Sequence, residues 1–133
     1  MLQRWKARKP NYYLVVFSEK YSVEHPLDGG VYPHHKGFID GSGVSIGDVL
    51  LLFQDLGAPG VGMVIETQTG GEAEEIDYQF FALDPPVAWG SLDSLRSAIP
   101  ELRVPLNWRG NWLQKISIAS FQRAIGGAQI RWP

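Results

Sequence analysis

The sequence Val44-Ser-Ile-Gly-Asp-Val-Leu-Leu-Leu-Phe53, followed by Gly60-Val-Gly-Met-Val-Ile-Glu66, predicts the architecture of this 133-residue chain. Gly47-Asp48 indicates a turn, because glycine tolerates positive φ and a short aspartate side chain can bond nearby backbone. The five apolar residues that follow, Val49 to Phe53, are too few for a stable helix and predict a strand covered on both faces. Leu56-Gly-Ala-Pro-Gly60 should then reverse the chain, so that the second stretch returns as a neighbouring strand. We therefore expect the middle of a small, curved β-barrel.

The composition limits the class of protein. At 133 residues the chain is long enough to bury one hydrophobic core, and we expect a single domain over residues 1–133 with a basic N-terminal tail over residues 1–10. The absence of cysteine excludes disulfides and thiolate zinc sites. Because no apolar run approaches the length of a membrane span, we expect a soluble, cytoplasmic protein with no membrane partner.

Four segments have the composition of strands. Residues 12–17 are rich in β-branched and aromatic side chains, and residues 76–83 follow a turn at Gly70-Gly71. We expect one curved sheet that contains residues 12–17, 49–53, 61–67 and 76–83. Pro85-Pro86 should end this part of the sheet, since proline cannot donate to a ladder. Residues 128–132 are a candidate closing strand.

Two helices are indicated by their caps. Ser91 should cap a helix over residues 92–99, and Ser117 should cap one over residues 118–125 that stops at Gly126-Gly127. Residues 18–45 lack periodicity and contain several Gly and Pro, which predicts a long loop. A loop of this length inside a small domain usually serves a function.

Charge is distributed unevenly along the chain. Residues 37–95 carry ten Asp and Glu and no Lys or Arg, whereas residues 96–133 carry six basic residues against Glu101 alone. If the basic tail and this C-terminal region meet, they form one positive face suited to phosphate groups. The alternative is that these charges only solvate helices and a tail, and the sequence leaves both open.

Motifs for catalysis or cofactor binding are missing. Gly41-Ser-Gly-Val-Ser-Ile-Gly47 has the wrong spacing for a dinucleotide loop, and there is no Walker lysine, nucleophile elbow or H-E-x-x-H. His25, His34 and His35 lack the usual spacing of metal ligands. We expect no enzyme activity, no cofactor and no metal.

The order of these features resembles the EVE domain of the PUA-like superfamily. The resemblance covers the chain from Tyr12 to Ile125 and rests on the following segments, in this order: Phe17-Ser-Glu19, Ile46-Gly-Asp-Val-Leu-Leu-Leu-Phe53, Gly60-Val-Gly-Met-Val-Ile-Glu66, an acidic hairpin, Trp89, a short helix that begins Ser-Leu, and a late helix through Phe121-Gln-Arg-Ala-Ile125. Where the family has a helix between its first two strands, this chain has His34-His-Lys-Gly-Phe-Ile-Asp-Gly-Ser-Gly43, and the late arginine segment matches approximately, at Trp108-Arg109.

The resemblance implies an α+β fold, a PUA-like mixed, mostly antiparallel β-barrel flanked by short helices. It also implies a non-catalytic nucleic-acid-binding module that recognises a modified base, flipped into an aromatic pocket. Such a pocket needs rings for stacking, and the chain has five Trp, five Tyr and six Phe. The pocket would comprise Phe17, Ser18, Tyr32, His34, His35, Lys36, Phe53 and Gln54. The rim that faces DNA or RNA would comprise Arg103, Trp108, Arg109, Trp112 and Lys115.

Other interpretations of the same residues stay open. Phe17, Phe53 and Trp89 could equally fill the core, as aromatic side chains often do. An amidohydrolase on the related ASCH variant of the barrel would need a Lys–Glu pair, for which Lys20 or Lys36 with Glu19 are candidates. The aromatic–arginine cluster at residues 108–112 would also suit a protein-interaction module. We expect the hairpin tip, Gly70-Gly-Glu-Ala-Glu-Glu75, to be exposed and to play no part in binding.

Overall fold

The chain folds as a mixed α+β structure, mostly strands, in which one sheet curls into a half-barrel with a few short helices. The computed structural model describes residues 9–17, 26–35, 37–103 and 111–131. Its strands are β1 (Tyr12–Val16), β2 (Val31–His35), β3 (Val49–Gln54), β4 (Gly57–Gln68), β5 (Ala73–Ala88), β6 (Trp112–Ile116) and β7 (Gln129–Ile130). Its helices are α1 (Phe38–Ser42), α2 (Leu92–Ala98) and α3 (Ile118–Ile125), with a 3₁₀ turn at Leu27–Gly29.

The described strands share one sheet, as the sequence predicts. Their order is β2-β5-β4-β3-β1-β6, with β7 paired to β5 beside this path. The β1–β3 pair is parallel and the other pairs are antiparallel, so the sheet is mixed and mostly antiparallel. The order leaves β2 and β6 at its two edges.

The two edges of the sheet approach each other because it curls. The hydroxyl of Tyr32 on β2 donates to the carbonyl of Trp112 on β6 at 2.8 Å. Next to it, the side-chain amide of Asn111 donates to the carbonyl of Pro33 at 2.6 Å. Side chains therefore bridge this seam between β2 and β6.

Alternation along the strands gives the sheet two separate hydrophobic cores. The helix-side core lies beneath α2 and α3 and includes Leu14, Val49, Leu51, Phe53, Val61, Phe81, Leu95, Ile99 and Phe121. The inner core lies on the other face and includes Tyr13, Val15, Phe17, Tyr32, Ile39, Leu50, Leu52, Val64, Ile76 and Tyr78. The apolar run of β3 contributes to both cores, which explains why it has no polar interruption.

The Gly47-Asp48 turn holds the start of two strands together. Gly47 has φ 92°, and the fully buried Asp48 accepts from the backbone N–H of Asn11 at 3.0 Å and of Ser45 at 2.9 Å. One carboxylate thereby ties the residue before β1 to the residue that opens the turn before β3. The sequence motif has a structural role here.

The predicted helices and caps are confirmed. Ser91 accepts from the N–H of Ser94 at 3.1 Å ahead of α2, and Ser117 accepts from the N–H of Ser120 at 3.0 Å ahead of α3.

The predicted loop over residues 18–45 is wrong where the structure describes it. Residues 26–42 contain the 3₁₀ turn, β2 and the extra helix α1. The sequence does not predict β2 because this strand contains Pro33. An edge strand tolerates proline, since the missing N–H is not needed for a ladder.

The prediction that Pro85-Pro86 ends the sheet is also wrong, because β5 continues to Ala88. The register with β4 jumps from Ala82 to Val87, so both prolines lie in an irregularity where β4 requires no N–H donor.

Candidate binding groove

An open groove lies beside the seam, between α1 and β6. It has a volume of about 530 Å³ and is lined by Gly37, Phe38, Gly41, Ser42 and Leu113. Helix α1 contributes one face through residues at helical spacing, and Leu113 contributes the other from the edge strand. A Cβ built at Gly37 or Gly41 would meet no other atom of the described residues within 4 Å, so the backbone of α1 is accessible beside the Phe38 ring.

Four aromatic rings connect the inner core to this groove. Phe17 contacts Tyr32 edge-on with ring centroids 5.0 Å apart, and Tyr32 contacts His34 at 5.9 Å. His34 stacks on Phe38 at 4.2 Å with an interplanar angle of 19°. Exposure rises from 0% at Tyr32 and 8% at His34 to 53% at Phe38. The series ends in a ring that is supported from beneath and accessible to solvent.

Tyr32 keeps this series in place from the core side. Burial is the main cause that raises the pKa of its phenol well above the usual value. The phenol is therefore neutral over the physiological pH range and acts as a donor across the seam.

Tyr13 and Lys115 lie at the β6 side of the groove. The hydroxyl of Tyr13 donates to the carbonyl of Ser42 at 3.2 Å, which joins the end of α1 to β1. Tyr13 pairs with Lys115 in the β1–β6 ladder. Because side chains alternate along a strand, the exposed Lys115 shares a face of β6 with Leu113. A cation therefore lies two residues along β6 from the groove-lining Leu113, on the same face of the strand.

Helix α1 is anchored from β5 by Glu74, which is 2% exposed. One carboxylate oxygen accepts from the N–H of Ile39 at 2.8 Å and of Asp40 at 3.2 Å. Burial raises the pKa of Glu74. Hydrogen bonds from the backbone N–H groups of Asp40, Ile39, Gly37 and Gly70 lower this pKa by more than burial raises it, so that the net shift is downward. The expectation that the hairpin tip is wholly exposed is therefore wrong at this residue.

Of the predicted pocket residues, the structure brings together Phe17, Tyr32 and His34. Phe53 is not with them, because it lies in the helix-side core with its ring 5.4 Å from that of Trp89. The register of the parallel pair places Val16 opposite Phe53, so Phe17 must face the other side of the sheet. The prediction of a single pocket lined by Phe17 and Phe53 is therefore wrong. Gln54, also predicted for this pocket, is the residue after Phe53 and the last of β3. Trp89 is buried as part of the core.

The predicted rim residues that the structure describes do not lie together, because they are on opposite faces of β6. Trp112 packs against the helix-side core, and its indole N–H donates to the side chain of Gln114 at 3.2 Å. The backbone N–H of Arg103 donates to the same oxygen at 3.0 Å. Both residues are thus held on the side of β6 away from Leu113, while Lys115 lies on the groove side. The remaining predicted positions lie outside the described residues: most of the basic tail, Ser18, Glu19, Lys20, the side chain of His35, Lys36, Trp108 and Arg109.

Sequence reasoning missed Phe38, Gly41 and Glu74. Phe38 and Gly41 lie in a short segment that the sequence predicts as loop, because five residues show no helical period. Its available signal is the pair of flanking glycines, Gly37 and Gly43, which have φ of 89° and 78° and bound a single helical turn. Glu74 gives no local signal, since its partners are 34 and 35 residues away in sequence.

No three His, Asp or Glu side chains within the described part of the chain come together as metal ligands. Among the helices described, none has both the length and the apolar character that crossing a membrane requires. No protein-family model matches the chain, and no curated protein sequence matches it.

Proposed function

We propose that this chain is a PUA-like, EVE-like module that binds DNA or RNA and holds a flipped, modified base in the groove between α1 and β6. The observation that carries the proposal is the Phe38 ring, which lines the groove, is 53% exposed and rests on the buried His34 ring. A large apolar ring kept at the surface by a stacked partner is suited to stacking with another ring.

The size and composition of the groove support a ligand as large as a base. Its volume of about 530 Å³ falls within the roughly 300–1,000 Å³ of small-molecule sites. Gly37 and Gly41 flank Phe38 without side chains, which leaves room for a flat ring to lie against α1. The seam bonds and the Ser42–Tyr13 contact hold both walls, so the groove is largely formed before a ligand enters.

The architecture supports the PUA-like part of the proposal. The half-barrel is mixed, mostly antiparallel and flanked by short helices, as the resemblance implies. Helix α1 falls within residues 34–43, the segment that the resemblance sets against the family's helix, but in this chain the helix lies between the second and third strands. Lys115 on the groove side of β6 supplies a positive charge for a phosphate next to the base.

The test is binding of short oligonucleotides, with and without modified bases, followed by fluorescence anisotropy at low salt. Phe38→Ala should weaken binding by about 1–3 kcal/mol, the usual contribution of one base–aromatic stack. Ile118→Ala is the matched control, since Ile118 is 52% exposed but starts α3 over the other core. The control should bind as the wild type does.

Gly41→Ala provides a second arm that does not remove any contact within the protein. Within the described part of the chain, its Cβ would meet no neighbouring atom within 4 Å, and alanine is favoured over glycine in a helix by about 1 kcal/mol. The variant should therefore fold at least as well as the wild type and bind less tightly. Equal affinity of both variants and the wild type would contradict a site in this groove. Absence of binding to every oligonucleotide, with turnover of a modified nucleoside, would instead favour the amidohydrolase interpretation.

A further inference from the structure

Helix α1 is too short to be stable on its own residues alone. It has five residues, and isolated helices need roughly 12–15 residues to be even marginally stable in water. Its N-cap is Gly37, which makes no side-chain capping bond and has φ 89°. A good N-cap side chain would satisfy the first N–H groups of the helix, and this one cannot.

Glu74 supplies the missing cap from another strand. Its oxygen accepts from the N–H groups of Ile39 and Asp40, which belong to the first turn of α1. A carboxylate at this end of a helix also interacts favourably with the helix dipole. The side chain is almost fully buried, so water does not compete strongly for these bonds.

The same β5 residue is linked to the aromatic part of the groove. Glu74 lies directly opposite His34 in the β2–β5 ladder, and His34 stacks on Phe38. Glu74 thus fixes the backbone of α1 while its ladder neighbour supports the ring that α1 carries. Besides His34, the ionisable groups described on these elements include Glu75 and Asp77 on β5, which are partly exposed, and Asp40 on α1, Glu72 in the hairpin and Lys115 on β6, which are exposed.

On this basis, and resting on the function proposed above, we infer that Glu74 is a positioning residue that holds α1, and with it the Phe38 ring, in the geometry in which the groove binds its ligand. Glu74 does not contact the ligand. It acts through the N–H groups of Ile39 and Asp40, and the hairpin that carries it therefore contributes to recognition without touching nucleic acid.

The test compares Glu74→Gln with the matched control Glu72→Gln, an exposed glutamate in the same hairpin. Glu74→Gln replaces a charged acceptor by a neutral one, so the dissociation constant for the oligonucleotide should rise by about tenfold. Amide hydrogen exchange of the free protein should accelerate at residues 39–42 and stay unchanged in β3 and β4. Glu72→Gln should behave as the wild type in both measurements.

A second measurement follows the backbone amides of α1 as the pH is changed. In the wild type, the amide proton shifts of Ile39 and Asp40 should titrate together as the pH falls below about 4.3, the usual pKa of a glutamate, because protonation weakens the acceptor. In Glu74→Gln this shared titration should vanish.

The outcomes separate this inference from the proposed function. If Glu74→Gln exchanges and binds as the wild type does, the positioning role is overturned and the proposed function stands. If exchange accelerates throughout the sheet, Glu74 is only a general structural residue and the inference is again overturned. If the wild type binds no oligonucleotide, the proposed function fails and takes this inference with it.

Discussion

Gly60 and Gly62 on β4 show how single residues allow the sheet to pack. A Cβ built at Gly60 would lie 2.5 Å from the Phe80 ring and 2.6 Å from the Phe81 carbonyl, and one at Gly62 would lie 2.6 Å from the Tyr78 ring. Aromatic rings of β5 therefore lie directly over backbone that has no side chain. This close approach is the physical reason for the glycines of the Gly60-Val-Gly stretch.

Gly60→Ala should destabilise the fold by about 1–3 kcal/mol, because overpacking forces a ring or a strand to move. The free energy of unfolding, measured by urea denaturation, checks this. Gly90→Ala is the control, since a Cβ there meets no atom of the described chain within 4 Å and its φ is not positive. A Gly60→Ala variant as stable as the control would contradict the packing.

At the residue scale, the sequence predicts which residues are buried better than it predicts where they face. Phe17 and Phe53 are both buried at strand ends, as their apolar surroundings indicate. Whether they share a pocket depends on the register of β1 against β3, and a shift of one residue exchanges the two faces. No local feature specifies that register, so the predicted pocket combined residues from two cores.

The elements divide into those specified locally and those held from a distance. α2 and α3 have serine caps and enough residues for a periodic pattern, and both were predictable. β3 was predictable from its apolar run. β2 contains Pro33, and α1 depends on Glu74 of another strand, so neither has a signal in its own residues. Because the groove is built from α1, the sequence missed the centre of the candidate site.

α3 also receives help from outside its own sequence. Glu101 accepts from the N–H of Ser117 at 2.8 Å and from the hydroxyl of Ser120 at 2.5 Å. Partial burial raises the pKa of Glu101, but these hydrogen bonds lower the pKa by more than burial raises it, so that the net shift is downward. Since the folded-state pKa is depressed, the stabilisation is complete above the usual pKa of a glutamate and is lost as the pH falls through the folded-state pKa.

Glu101→Gln should therefore destabilise the protein at pH 7 by about 1 kcal/mol, the usual difference between a hydrogen bond to a charged acceptor and one to a neutral acceptor. The difference from the wild type should shrink as the pH falls below about 4.3. Urea denaturation at pH 7 and in the acid range measures both free energies. A difference that does not change with pH would show that the charge of Glu101 contributes nothing.

Across the whole molecule, charge follows the architecture. The segment without Lys or Arg spans β3, β4 and β5, whereas the basic C-terminal region includes β6 and α3. Since the sheet curls, the β6 edge that carries Lys115 meets β2 at the seam, whereas β4 and β5 carry acidic side chains without Lys or Arg. A polyanion would be repelled by these acidic strands and attracted to Lys115 at this edge.

If nucleic acid binds at that edge, each contact between a cation and a phosphate releases counterions and adds to the salt dependence of binding. Lys115→Ala should lower affinity for all sequences by a similar factor and reduce the slope of log affinity against log salt by about one unit. Arg131→Ala is the control, because Arg131 pairs with Asp84 on the β5–β7 side, away from the groove. Anisotropy titrations across a salt series measure both slopes. If both variants lose the same affinity, nucleic acid binds to exposed cations in general and not at the groove. Only a phosphate held beside the groove would make the loss larger for Lys115→Ala than for Arg131→Ala.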